Sequence, residues 1–292
     1  MSDQNIQKIL NLPIWKGAPN IENLDGGLTN ENFLVTDKKQ KVVVRLGEDI
    51  PEHLVLRSNE LIATKAAYES NIGPEVIFSS EGILVIKYIK SKTMSPKNVR
   101  ENIDKIIPII KNVHFKIPQK IIGPAMIFWV FHVVRNYANY LEKNNSSYKN
   151  ILNDLLSYND LLEKISSPHQ IVFGHNDLLP ANFLDDGSKI WLIDWEYSGF
   201  NSPLFDLGGL SSNNDFSEKE ELYLLEKYFE KKIDSKILLQ YQAMKCASLL
   251  RETMWSMVSE ISSKIEFDYS VYTKENFEKF KNSFQQFDKI IL

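Results

Sequence analysis

The sequence holds a single cysteine, Cys246, among 292 residues. An intramolecular disulfide framework and any cysteine-based zinc site are therefore excluded. A strong charge of one sign is missing too: 34 Lys and Arg against 38 Asp and Glu leave a net charge of −4. Proteins held to nucleic acid by phosphate contacts need a basic surface, so no nucleic-acid partner is expected. Long apolar runs are also absent. The most apolar stretch, Ile121 to Val134, has 14 residues, is broken by Gly123-Pro124 and carries His132. A membrane-spanning helix needs about 20, so this stretch reads as a buried helix and no membrane span is expected. Around Asp3 no basic region leads into an apolar one, and no signal peptide is expected. With 43% hydrophobic and 25% charged residues, the composition is that of a soluble, cytoplasmic enzyme or binding protein.

The first ninety residues read as mostly β. Ile21–Leu24 runs into the turn residues Asp25-Gly26-Gly27; Asn32–Thr36 and Val42–Leu46 flank a polar turn, Asp37–Gln40, which predicts an antiparallel hairpin. Leu54–Ser70 switches to helical spacing, with Leu54, Leu61, Ile62 and Ala66 as one face, and Gly73-Pro74 ends it. Val76–Phe78 and Ile83–Ile86 form a second strand pair. The order β-β-β-α-β-β predicts an antiparallel sheet with one helix across it rather than a series of βαβ units. From about Asn98 the spacing is helical, over Val99–Ile117, Ala125–Lys143, Tyr148–Ile165, Glu218–Phe229, Ser235–Ser262 and Thr273–Leu292. One β-like island, Ile171 to Asp194, interrupts these helices. The expectation is an α+β chain of two lobes: 1–90, a small antiparallel sheet with one helix, and 91–292, mainly helical.

That island carries the chemistry. It reads Ile171-Val172-Phe173-Gly174-His175-Asn176-Asp177-Leu178-Leu179-Pro180-Ala181-Asn182-Phe183-Leu184, an apolar run, a polar loop and an apolar pair. Asp177 and Asn182 stand five residues apart, the spacing of the protein-kinase catalytic loop, with Asn176 in place of its arginine. Twelve residues beyond Asn182 the strand Ile190–Ile193 ends in Asp194, an oxygen donor suited to Mg²⁺. Phosphoryl transfer needs a hydroxyl held in line with the γ-phosphate and the developing charge neutralised. Asp177 can accept a hydrogen bond from that hydroxyl and take its proton, while Asn182 and Asp194 hold metal. His175 braces the loop, since no serine or cysteine nucleophile stands beside it. As an isolated pair, Asp177 and Asn182 would read as turn residues; three ordered parts with flanking strands read as a kinase-like site. His114, His132 and His169 have no carboxylate or histidine at metal spacing and are read as structural, and Cys246 as an inert buried thiol.

His175–Asn182, followed by Ile193-Asp194-Trp195-Glu196-Tyr197 and Phe205-Asp206-Leu207, resembles the choline/ethanolamine kinase family, within the protein-kinase-like aminoglycoside-phosphotransferase group. The resemblance runs from Gly26-Gly27-Leu28-Thr29-Asn30 to about Tyr272 and is closer to the short bacterial members. It implies ATP and Mg²⁺ as cofactors and a two-lobed, protein-kinase-like fold. It further implies Asp177 as catalytic base, Asn182 and Asp194 as Mg²⁺ ligands, and Asp206 bracing the catalytic loop through backbone amides. Leu24–Phe33 would lie over the ATP phosphates, with Thr29 and Asn30 as donors. Arg45 would meet the α/β-phosphates and pair with Glu60, a pair that alone reads equally as a surface ion pair. Ile86–Ile89, with Tyr88 and Ile89, would form the hinge that meets adenine.

For the acceptor, a quaternary ammonium can be held by aromatic faces, at about 0.5–2 kcal/mol per ring. Tyr197, Trp255, Tyr269 and Tyr272 are the candidates; Trp255 to Ser263 and Phe267 to Tyr272 resemble the family's choline-pocket segments. Core packing is the alternative for these rings, and is our reading of Phe277, Phe280, Phe284 and Phe287. The chain departs from the family where a second tryptophan often precedes Trp255 by three residues: Glu252 stands there. Glu252 and Glu196 could meet an ammonium by charge and hydrogen bonds, or Arg251 could pair with Glu252. The expected activity is ATP-dependent phosphorylation of choline to phosphocholine. Ethanolamine, thiamine or another amino alcohol is the alternative acceptor, an aminoglycoside ranks below them for want of carboxylates, and a nucleotide-binding scaffold has no need of the full Asp177, Asn182, Asp194 set.

Overall fold

A computed structural model describes residues 3–24, 27, 29–38, 40–167 and 170–291. The chain opens with α1 (Asp3–Leu10), which the sequence reading does not foresee; eight residues are too few for a helical period to declare itself. Strands β1 (Asn20–Leu24), β2 (Glu31–Asp37) and β3 (Gln40–Leu46) follow, then α2 (Arg57–Glu69), β4 (Val76–Ser80) and β5 (Ile83–Lys87). The five strands form one antiparallel sheet, as the spacing predicts, and lie in the order β1-β2-β3-β5-β4. Lys39 of the expected hairpin turn lies outside the described residues. Period-2 alternation puts Phe33, Val35, Val42, Val44 and Val85 on one buried face, joined by Ile9 of α1. The other face carries Asn32 and Arg45, paired across β2 and β3.

Of the predicted apolar face of α2 only Ala66 is buried. Leu54, Leu61 and Ile62 are half-buried, whereas Asn59, Glu60, Ala63, Thr64, Ala66 and Ala67 are turned inward. The helix packs its alanines Ala63, Ala66 and Ala67 on the core and seats polar residues beside them: Asn59 Nδ2 donates to the Ser198 carbonyl at 2.8 Å, and Glu60 meets Arg45. Hydrophobic spacing cannot register a helix seated on polar partners.

Beyond β6 (Lys92–Thr93) the chain is mainly helical, with α3 (Pro96–Glu101), α4 (Ile103–Phe115), α5 (Val130–Lys143) and α6 (Leu152–Ser166). The expected buried helix over Ile121–Val134 is corrected here. Its first nine residues are not helical: Phe128 N–H donates to Phe200 O and Phe200 N–H to Met126 O, and Ile122 and Ile127 are exposed. The island between Ile171 and Asp194 holds β7 (Val172–Gly174), β8 (Phe183–Asp185) and β9 (Ile190–Leu192), after which β10 (Gly199–Asn201) pairs with β7. The last helices are α7 (Pro203–Asn213), α8 (Glu218–Phe229), α9 (Ser235–Ser262) and α10 (Tyr269–Ile291).

Sequence spacing misses α7 because Gly208 and Gly209 depress helix propensity. They are there for packing: a Cβ on Gly208 would stand 2.8 Å from Lys245 Cα of α9. Helix α9, with an almost unbroken buried run from Gln240 to Ser259, is the centre of the large lobe. Phe280 and Phe287 of α10 are fully buried against this core. Cys246 is buried beside Ser283, and burial pushes its thiol up to about 11. Among the described residues no helix is long and apolar enough to cross a membrane.

Candidate active site

The loop His175–Asn182 follows the three buried residues of β7. Asn176 takes a left-handed backbone conformation, φ 64°, and its amide donates to the carbonyls of Tyr197 and Gly199 at 3.0 and 3.1 Å. This leaves no room beside Gly174, where a Cβ would lie 2.7 Å from Asn176 Oδ1. Asp206, in the first turn of α7, accepts the backbone N–H groups of His175 and Asn176 at 2.8 and 2.7 Å. His114 reaches the same carboxylate at 3.0 Å and is itself bonded to Tyr228. Burial alone would raise the Asp206 carboxyl; His114, His175 and these bonds hold it below the usual carboxylate range. His175 contacts the Ile193 carbonyl through Nε2 at 2.9 Å and packs its ring on Trp195; burial lowers its pKa and keeps it neutral, so Nε2–H is the donor.

Asp177 follows at the mouth of this loop. Asn182 Nδ2 donates to the Asp177 carbonyl at 2.8 Å, and Arg251 Nη1 stands 3.8 Å from its carboxylate. Burial raises the Asp177 carboxyl well above the usual range, Arg251 opposes this, and Glu252, Asp194 and Glu196 add to it. Asp194, past β9, is also left-handed, with φ 69°. Its carboxylate accepts from Arg45 at 2.8 Å, and Arg45 pulls it below the usual range against the effect of burial.

Arg45 pairs with Glu60 as well, so one buried glutamate serves two arginines, because Arg57 donates to its other oxygen at 2.8 Å. Arg57 also donates to Glu196 at 2.9 Å and to the Thr29 carbonyl at 3.1 Å. Thr29 Oγ1 donates to Glu196 at 2.9 Å, and Asn30 Nδ2 donates to Thr29 Oγ1 at 3.1 Å. Burial and Asp194 push the Glu196 carboxyl up to about 7, against Arg57. Glu196, read above as a partner for the acceptor, is tied to the N-terminal lobe through Arg57 and Thr29. Asp25, Gly26 and Leu28 of the expected phosphate loop, and His169, lie outside the described residues.

A cleft of about 340 Å³ runs along Val43, Ile86, Leu184 and Ile193, with Tyr88 and Ile89 at one end and Arg45, Asn182 and Asp194 at the other. A larger hollow, about 1070 Å³, opens between α1, α2 and the β4–β5 turn; it shares Arg45 and Glu60, but neither Asp177 nor Asp194 lines it. The cleft has an apolar end for a flat base and a charged end for phosphates. Among the described residues no cluster of three or more His, Cys, Asp or Glu could hold a metal. One carboxylate and one amide oxygen are what Mg²⁺ takes when substrate phosphates complete its shell, so Asp194 and Asn182 fit that ion.

On the other side of Asp177 the rings gather. Trp255 Nε1 donates to Tyr197 Oη at 2.8 Å, and its ring lies 6.1 Å from that of Tyr269 and 6.4 Å from that of Tyr272. Tyr272 Oη donates to Glu252 at 2.7 Å, and Arg251 donates to the other Glu252 oxygen at 2.7 Å. The Arg251 guanidinium lies over the Tyr197 ring at 4.3 Å.

Four residues at this site escaped the sequence reading. Arg57 had a signal, since it stands three before Glu60 on one helix. His114 was set aside for want of metal spacing, although its partner is a single carboxylate. His53 sits in a short 3₁₀ turn with no motif, yet packs 5.1 Å from Trp255. Arg251 was seen only as a partner for Glu252.

The sequence matches the family model described as choline/ethanolamine kinase over residues 21–218. The Haemophilus influenzae protein LicA is 25% identical over 247 residues, 82% of this chain and 72% of that protein. A probable ethanolamine kinase of Arabidopsis thaliana is 26% identical over 298 residues, 89% of this chain and 78% of that protein. The fold is similar to that of a choline/ethanolamine kinase family protein from Mesorhizobium loti, with a TM-score of 0.79, 25% identity, and coverage of 99% and 97% of the two chains.

Proposed function

The chain belongs to the choline/ethanolamine kinase family, and from that premise we propose that it transfers the γ-phosphoryl group of ATP to the hydroxyl of choline. The observation that carries this reading is the position of Asp177. Its carbonyl accepts from Asn182, which lines the cleft with Arg45 and Asp194, and its carboxylate stands 3.8 Å from Arg251, one turn before Trp255 on α9.

The adenine lies in the apolar end of the cleft, and the phosphates run toward Arg45. Asn182 and Asp194 would hold Mg²⁺, which would neutralise charge on the phosphate oxygens. Asp177 accepts a hydrogen bond from the acceptor hydroxyl and fixes it in line with the γ-phosphorus. As the new O–P bond forms and the bond to ADP breaks, the hydroxyl proton passes to the Asp177 carboxylate. A carboxyl whose pKa is raised by burial is the stronger base once ionised. Asp206, through the amides of His175 and Asn176, keeps the loop from turning Asp177 away. The trimethylammonium lies against Trp255, Tyr269 and Tyr272.

Ethanolamine is the second reading, favoured by Glu252, whose oxygens can accept N–H bonds that choline does not offer. The test is ADP release by purified protein with ATP and Mg²⁺ against choline, ethanolamine and thiamine, with Asp177→Asn as control. Choline-dependent release lost in the control supports the reading. Release with ethanolamine alone keeps the kinase and overturns the acceptor, and none above the control overturns both.

A further inference from the structure

Arg251 lies one turn before Trp255 on α9 and is 3% exposed. Its guanidinium covers the Tyr197 ring at 4.3 Å, its Nη1 donates to Glu252 at 2.7 Å, and the same nitrogen stands 3.8 Å from Asp177. An aromatic face, a counter-carboxylate and the base are the three things a small cationic alcohol needs here. One resident cation touches all of them. A guanidinium suits such a ring face because it is planar and weakly hydrated.

The fold does not use all of its donors. Among the described residues its Nε and Nη2 make no hydrogen bond of good geometry. Buried donors left unmet are costly.

We propose that Arg251 sets the size of ammonium group the site admits, an inference that rests on the reading of the acceptor as a cationic amino alcohol. By holding the Tyr197 face and one Glu252 oxygen, it takes the room a bulky nitrogen would use. An ammonium that carries N–H shares Glu252 with it, since each carboxylate oxygen has a second lone pair. A fully methylated nitrogen is met by ring faces alone, and one of these is covered. Arg251 therefore selects against N-methylation, wherever the absolute preference lies.

The test measures kcat/KM for ethanolamine, its N-methyl and N,N-dimethyl forms and choline on the wild type, Arg251→Met and Arg251→Lys, with KM for ATP in parallel. The choline-to-ethanolamine ratio rises about tenfold in Arg251→Met, the size of one ring–cation contact, while KM for ATP holds. Arg251→Lys, which keeps the charge but loses the flat stack, falls between. A ratio that is unchanged or lower in both variants overturns the proposal. If circular dichroism shows Arg251→Met unfolded, Arg251→Lys alone decides. If the wild type turns over none of the four, the amino-alcohol reading fails. Tryptophan fluorescence with tetramethylammonium as probe then decides: tighter binding by the variants supports the role of Arg251, and equal binding overturns it.

Discussion

Arg45 and Asp194 stand 2.8 Å apart although 149 residues separate them in the chain. The contact joins the sheet of the small lobe to the segment after β9, at the charged end of the nucleotide cleft. Removing Arg45 leaves Asp194 facing Glu60 and Glu196 without its main counter-ion. We expect Arg45→Met to raise KM for ATP about ten- to hundredfold, the range of one or two charged hydrogen bonds, with the acceptor KM nearly unchanged. Initial-rate kinetics check this, and an equal rise in both constants would contradict it.

Asp177→Asn keeps the shape of the loop and removes the proton acceptor. The expected loss in kcat is about 10²–10⁴-fold, with little change in KM for ATP or in melting temperature. A large fall in melting temperature would instead make Asp177 a structural residue.

Trp255→Leu removes the central ring of the acceptor side and the donor to Tyr197. KM for the amino alcohol should rise about 2- to 30-fold, the span of one cation–π contact, while KM for ATP stays put. Because Trp255 is 5% exposed, the variant also loses stability, by about 3–5 kcal/mol by analogy with large-to-small core changes. The split between the two KM values separates the roles.

His53 gives the pH dependence. Burial, reinforced by Arg251, lowers its pKa from 6.5 to about 3. The unfolded chain therefore takes up a proton below pH 6.5 that the folded protein refuses until about pH 3. Its contribution to stability is fully present above pH 6.5 and is lost as pH falls through that window, at a slope approaching about 1.4 kcal/mol per pH unit. Denaturant titrations between pH 7 and pH 4 should show this slope reduced in His53→Gln. Parallel curves for the two proteins would assign acid sensitivity elsewhere.

What the chain made legible follows from how each part is held. The hairpins declared themselves because Phe33, Val35, Val42 and Val44 alternate strictly and one face is buried. The loop holding Asp177 and Asn182 stands out because their spacing is short and local, and the structure brings the two side by side. By contrast, the face of α2 was misread because Asn59 and Glu60 are buried by partners in distant segments, Ser198 and Arg45. Non-helical Ile121–Trp129 pairs with Phe200, more than 70 positions away. Helix α7 was hidden by Gly208, whose purpose appears only once α9 lies against it. Glu196 reads from the sequence as a charge for the acceptor's ammonium, but Arg57 and Thr29 of the other lobe bond to its carboxylate.

Helix α9 carries Arg251, Glu252 and Trp255 within two turns, while its remaining faces are buried against α5, α6, α7 and α10. The wall that would choose the acceptor is thus a rigid rod at the heart of the lobe, with no hinge or insertion point of its own. Diversification of such a wall proceeds by exchange of single side chains rather than by remodelling of a loop. Each exchange is screened twice, once by the molecule it admits and once by the core it must still fill. A change of acceptor along this lineage should therefore be written in very few positions, and position 251 is where to look for it first.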